Sequence, residues 1–322
     1  MKHFTTTFLS ALLFFSGTIF SFAQYTETIN SNRPGASQGA FSVGKGVLQL
    51  EAGGYLGNDK HNLRGSDTDV LGADYALRYG FLFEALEVSL MGTFESQKST
   101  IRIGGTDEEF NTSNFRTNTL GLKYLVFDPY KNAEPDKPNL YSWKANQRFK
   151  WKTLIPAVAI YAGANFYMKD NPYLYEGEAR ISPKFAISTQ NNWRGGWVFV
   201  TNLILDKISE PSPTYAGIFT LTHAFTPTFA GFLEYQGIIS DIYADDLART
   251  GVALLFGDNF QADVSGLINF KNTPSRWQVA AGLSYRWDFH KSDEFLEDSN
   301  EGDIRQKRKK PKPEEIEPEI EN

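Results

Sequence analysis

Between Val47 and Phe289 apolar residues recur at every second position, and this period most restricts what the chain can become. The last such stretch is the clearest. Trp277, Val279, Ala281, Leu283, Tyr285, Trp287 and Phe289 share one face, and Gln278, Ala280, Gly282, Ser284, Arg286 and Asp288 share the other. Successive strand side chains point to opposite sides, so one face is greasy and its reverse is polar or small. A helix would set Trp287 and Arg286 about 100° apart and mix the faces. The pattern recurs often enough to predict twelve strands, near 46–57, 69–80, 83–95, 115–126, 152–168, 177–190, 194–206, 214–225, 228–240, 247–257, 259–270 and 276–289.

Two further features decide what twelve alternating strands would build. The chain is 15% aromatic, yet its mean hydropathy is −0.37. Aromatic residues in a polar chain suit strands that meet lipid on one side and water on the other. The polar faces also carry opposite charges on neighbouring strands among Gly, Ala and Ser, as a narrow wet lumen requires. A soluble sandwich would bring its apolar faces together and show Lys, Glu and Thr outside. After the N-terminus no apolar run reaches the roughly 18–20 residues of a spanning helix, so a membrane crossing would have to be a closed barrel. The expected fold is therefore all-β, an antiparallel up-and-down transmembrane β-barrel of twelve strands.

Residues 1–23 read as a secretory signal. Lys2 and His3 precede the apolar "FLSALLFFSGTIF", and Ser21-Phe22-Ala23 offers a small-x-small cleavage site. Residues 24–45 would form an N-terminal segment, 46–290 the barrel, and 291–322 a charged tail too poor in apolar residues to fold alone. Both ends would lie in the periplasm of a bacterium, with the barrel in its outer membrane. Connections after odd strands should be the longer, external ones, including a loop over 96–114. A long insertion, 127–151, breaks that rule on the periplasmic side.

A net charge of −6 gives no electrostatic reason to expect nucleic acid. The absence of cysteine removes disulfides, thiolate metal sites and a thiol nucleophile. No cofactor and no metal is expected. Asp241, Asp245 and Asp246 crowd one loop, as Asp67 and Asp69 do another, but without a fixed ligand spacing they read as solvated carboxylates. The expected partners are membrane lipid, the barrel-assembly machinery and a small solute.

Matching fragments run along the chain in order: "NRPG" from Asn32, then "LQLEAGGY", "GFLEY", "GDNFQADVSGLINF" and "GLSYRW". In these the sequence resembles the phenol-degradation MetA-pathway family of outer-membrane transporters. The family's usual acidic residue before Arg-Pro-Gly is Asn32 here. The resemblance implies an outer-membrane barrel loosely akin to channels for hydrophobic compounds.

Alternation points Glu51, Asp74, Arg78, Glu87, Lys123, Arg180, Lys184, Glu234, Asp263 and Arg286 into the lumen. Residues 30–46 hold four glycines, a proline, two cations and no carboxylate. They could fold back as a plug in which Asn32, Arg33, Pro34 and Gly35 form a gate. Arg33 would grip an inward carboxylate with two prongs, Glu51 and Glu234 being the candidates. The function expected is passive movement of small solutes, hydrophobic or aromatic ones included. A closed structural or surface-binding barrel is the alternative. An outer-membrane lipid hydrolase is a further one, for which His223 has a place on the lipid face but no serine motif beside it.

Overall fold

The computed structural model describes residues 28–130 and 151–289. Among the described residues it has twelve strands: β1 (Val47–His61), β2 (Ser66–Gly80), β3 (Leu86–Ile103), β4 (Thr106–Phe127), β5 (Ala157–Phe166), β6 (Ile181–Trp193), β7 (Trp197–Asp206), β8 (Thr214–Ala224), β9 (Phe229–Ile239), β10 (Ala244–Phe256), β11 (Phe260–Asn269) and β12 (Ser275–Asp288). Each pairs antiparallel with its sequence neighbours. β1 also pairs with β12, from Val47 opposite Asp288 to Lys60 opposite Ser275, and so closes the barrel. Closure leaves no sheet edge, the condition for strands to enter hydrocarbon.

The two faces then part as the period dictates. Outward residues such as Leu71, Leu122, Ile160, Val264 and Leu283 are exposed. Inward Arg78 and Glu234 are 0% and 1% exposed, which inverts the usual order of a soluble protein. Among the described residues the one cluster of buried apolar side chains is small: Ala40, Ala85, Leu125, Ala157 and Ala159, with Phe41 and Tyr130 against it. Outward aromatics gather where the connections 81–85, 194–196, 225–228 and 257–259 lie. Trp197 stacks on His223 at 4.2 Å, Phe225 packs on Phe229, Phe256 on Phe260, and Tyr285 on Trp287. These form a girdle of the kind that settles at a membrane interface.

Several expected boundaries are corrected. The 96–114 loop is ordered strand: β3 and β4 run on as a hairpin that turns at Gly104-Gly105. β1 and β2 likewise extend to a short 62–65 connection. Turn chemistry and polar composition masked these extensions, because strand walls standing clear of lipid have no need of an apolar face. β5 begins at Ala157, after a 3-10 turn at Trp151–Leu154. The signal region, residues 131–150 of the insertion and the charged tail lie outside the described residues.

Placing an Arg on the lipid face tests this reading directly. Leu283, half exposed, sits mid-strand between Ala52 and Ala262. Leu283→Arg should lower unfolding free energy by about 2–4 kcal/mol in urea titrations of the bilayer-inserted protein.

Candidate functional site

The lumen is occupied by the protein's own N-terminal segment, residues 28–46, which carries few groups able to pair internally. A backbone inside a barrel must find partners for its N–H and C=O groups, and here the wall side chains supply them. The segment begins with the Ile29 N–H donating to Asp258 O at 2.8 Å. Asn30 O accepts from Gln49 Nε2 at 3.1 Å and Arg78 Nη1 at 2.9 Å. The Asn32 N–H donates to Glu51 Oε1 at 3.3 Å. Further on, the Ala36 and Ser37 N–H groups converge on the Glu234 carboxylate at 3.0–3.2 Å. Gln38 exchanges two bonds with Asn202, 2.6 and 2.8 Å long. The Ala40 N–H donates to Gln190 at 3.1 Å, and Lys123 Nζ donates to Gly39 O and Phe41 O at 3.1 and 2.9 Å. The Val43 N–H reaches Glu87 at 3.0 Å, and the Gly46 N–H reaches Gly80 O at 3.0 Å. Read by strand, the segment passes β1, β11, β9, β7, β6, β4 and β3 before entering β1. It thus runs round the inner circumference, and Asn32 Oδ1 accepting from the Gly39 N–H at 3.1 Å ties its two halves together.

Arg33 makes the two-pronged contact, but with a different carboxylate from either candidate. Its Nε and Nη2 donate to Asp263 Oδ2 and Oδ1 at 3.2 and 3.1 Å. The choice is steric. Gly53, Gly282 and Asp263 stand side by side on β1, β12 and β11. A methyl group on either glycine would collide with the guanidinium, so the two glycines make a flat bed that ends at Asp263. The same device recurs at Gly35, where a Cβ would lie 2.6 Å from Glu234 Oε2. Glu51 and Glu234 instead hold the segment's backbone.

Behind the segment, Arg78 donates to Glu87 through Nε and Nη2 and to Glu51 through Nη1, all at 2.9 Å. Lys123 Nζ lies 3.3 Å from Glu87. Two cations and two carboxylates therefore balance in a buried network. Removing one member of such a network would strand a charge, which is far costlier than a surface pair. Glu234 is similarly saturated by Thr220 Oγ1 at 2.8 Å and by Arg249.

The other named residues divide. Lys184 pairs with Asp206 at 3.5 Å, and Asp74 accepts from Thr93 Oγ1 at 2.7 Å. Arg286 is buried and pairs with Asp288 at 3.2 Å. Arg180 is a correction: β6 starts one residue later, and Arg180 is exposed in the 167–180 connection. The strand pattern was extended there through residues that share its polarity but not its pairing. Asp245 is also corrected, being buried and bonded by Tyr243, by Asn269 at 3.2 Å and by Lys271. Among the described residues no group of His, Asp and Glu side chains could hold a metal ion.

Sequence reading missed Arg116, Arg249 and Arg276. Arg116 is the extra residue of a β-bulge in β4, between Phe115 opposite Phe94 and Thr117 opposite Thr93. A bulge re-aims a side chain against the alternation, and here it sends Arg116 to Glu95 at 2.9 Å. Arg276 forks onto Asp59 at 2.8 and 2.6 Å. The mouth above is narrowed by the 167–180 connection. From there Asn171 donates to Phe115 O at 2.7 Å and Tyr173 to Glu95 O at 3.2 Å. Lys207 fastens this connection to the next through Glu178 at 2.6 Å. Burial works against the Lys207 ammonium, but the hydrogen bond to Glu178 and the nearby Tyr167, Glu178 and Asp206 charges together outweigh it and hold the lysine above its usual range.

Two cavities flank the segment. The larger, about 460 Å³, opens toward the 167–180 connection and is bounded by Tyr55, Asp74, Arg116 and Arg276. The smaller, about 210 Å³, lies toward the aromatic girdle beside Val198, Thr222 and Ala253. Asn32, Arg33, Pro34 and Gly35 border both.

A closed twelve-strand wall, an apolar exterior and a polar bore define a β-barrel of the outer-membrane type. The chain belongs to the family described as "Putative MetA-pathway of phenol degradation", whose model matches residues 31–287. Among solved structures it is similar to an outer membrane channel from Pseudomonas putida F1, at 10% identity and TM-score 0.48 over 80% of this chain and 100% of that one. It is also similar to the translocator domain of the autotransporter NalP from Neisseria meningitidis, at 9% and 0.42 over 80% and 90%. A third is the CymD monoaromatic hydrocarbon channel, at 9% and 0.41 over 77% and 90%. Likeness at this level does not extend to function. No curated protein matches the chain.

The bed under Arg33 gives a test. Gly282→Ala should lift the guanidinium off Asp263 without opening the wall. Because the chain has no cysteine, a Ser31→Cys reporter, at the residue whose hydroxyl accepts from the Arg33 N–H at 3.1 Å, would be its sole thiol. Maleimide labelling of that reporter should become several-fold faster in the Gly282→Ala background.

Proposed function

We propose that the protein is an outer-membrane channel for passive movement of small solutes, gated by residues 32–35. One observation carries the reading: the segment borders a cavity on each side, and residues 32–35 are the stretch that both cavities touch. Moving Arg33 off Asp263 would shift the partition while leaving the outer anchors at Glu234, Asn202 and Gln190 in place. The barrier is therefore local, and the buried Arg78 network behind it need not break. Hydrophobic or aromatic solutes fit the family's description, and the CymD name records a monoaromatic hydrocarbon for that protein.

A closed, structural barrel is the second reading, and the number of wall side chains bonded to the segment favours it. The hydrolase reading has less behind it. His223 lies in the aromatic girdle, stacked on Trp197 and edge-on to Phe225 at 4.7 Å.

Liposome swelling separates these readings. Arg33→Ala should raise solute flux, and removal of residues 24–45 should raise it further. Absence of flux in the full protein and in both variants would make the barrel a closed one.

A further inference from the structure

The larger cavity is lined by charge of mainly one sign. Arg33, Arg116, Lys184, Arg249 and Arg276 all border it, whereas their partners Asp263, Glu95, Asp206, Glu234 and Asp59 do not. In three of the five pairs, those of Arg33, Arg116 and Arg249, the cation is also more exposed than its carboxylate. The Arg116 side chain is 40% exposed and that of Glu95 is 0%, and Arg33 and Arg249 likewise stand clear of fully buried carboxylates.

The withdrawn carboxylates are also committed elsewhere. Glu95 accepts from Tyr55 Oη at 2.6 Å, Asp206 accepts from Asn165 Nδ2 at 2.5 Å, and Glu234 holds the segment's backbone. A guanidinium has five N–H donors, and Glu95 takes one from Arg116 through Nη1 at 2.9 Å. Of the two carboxylates that do border the cavity, Glu51 is held by Arg78 at 2.9 Å, and Asp74 accepts from Thr93. Apolar side chains share the space: Met91, Leu247 and Leu267 border it too.

We propose that this vestibule selects anions, and that its solutes are small organic carboxylates carried on an apolar body. Guanidinium groups present a planar fork that matches a carboxylate. Low-dielectric walls around one sign of charge concentrate the opposite ion by on the order of tenfold or more. A cavity of about 460 Å³ falls within the size of small-molecule sites. As a statement about transport, the inference rests on the channel reading above. As a statement about binding, it stands by itself.

The test uses the full protein and benzoate as probe, with benzamide as its neutral isostere. In planar bilayers under a potassium chloride gradient, the reversal potential should give chloride about tenfold preference over potassium. Benzoate should block that current and raise the protein's thermal unfolding temperature, whereas benzamide should do neither. Both effects of benzoate should weaken as ionic strength rises from about 0.1 to 1 M, where the screening length falls from about 10 to 3 Å. Arg116→Gln combined with Lys184→Gln should bring the permeability ratio to one or below. Arg116→Lys, which keeps the charge and loses the fork, should keep the ratio and lose several-fold in benzoate affinity. Cation preference in the wild type, or equal effects of benzoate and benzamide, would overturn the proposal while leaving the channel intact. No conductance together with stabilisation by benzoate would instead overturn the channel reading and support the anion site.

Discussion

The hydrogen bonding of β1 to β12 governs everything else in this molecule. Once that seam is made, no wall strand has an unpaired edge, and the outside can be surrendered to lipid. The polar half of every strand is then forced inward, into a space too small to be fully wet. Charges placed there must find partners. The Arg78, Lys123, Glu51 and Glu87 network shows how they do so, with two charges of each sign.

The bore therefore sets a second problem, and the N-terminal segment answers it. A wall of inward Asn, Gln and Glu side chains offers acceptors and donors without backbone to match them. A strip of chain rich in Gly, with few bulky side chains, offers backbone groups without secondary structure to satisfy them. Each completes the other along almost the whole inner circumference. Glycine has a particular part where the wall must recede: Gly53 and Gly282 send no side chain into the bore, and the Arg33 guanidinium lies in the space they leave.

Wall and segment together leave an electrostatic asymmetry. Glu95 and Glu234, held against the wall by Tyr, Thr or backbone donors, are pulled back, while their longer Arg partners reach past them. The larger cavity then shows mainly cations even though the whole chain is acidic, at −6. Net charge read from composition and the charge bordering the larger cavity thus have opposite signs here, because burial acts on each group separately.

Much of the architecture was legible in sequence. Alternation alone placed the strand count, the outward faces and most inward charges, because a period of two leaves no freedom about which side a residue takes once one face is apolar. It failed where the period fails. The bulge that turns Arg116 inward is invisible to alternation, and the polar hairpin of β3 and β4 gave no apolar face to read. Arg180 fell on the wrong side of a strand start. The partner of Arg33 was beyond sequence in principle. Asp263 lies 230 residues away, and only barrel closure sets it beside two glycines from β12 and β1. The sequence by itself determined that the chain must close on itself and face lipid. Tertiary structure alone decided what fills the bore and which sign of charge borders its larger cavity, because both depend on contacts made across the barrel rather than along a strand.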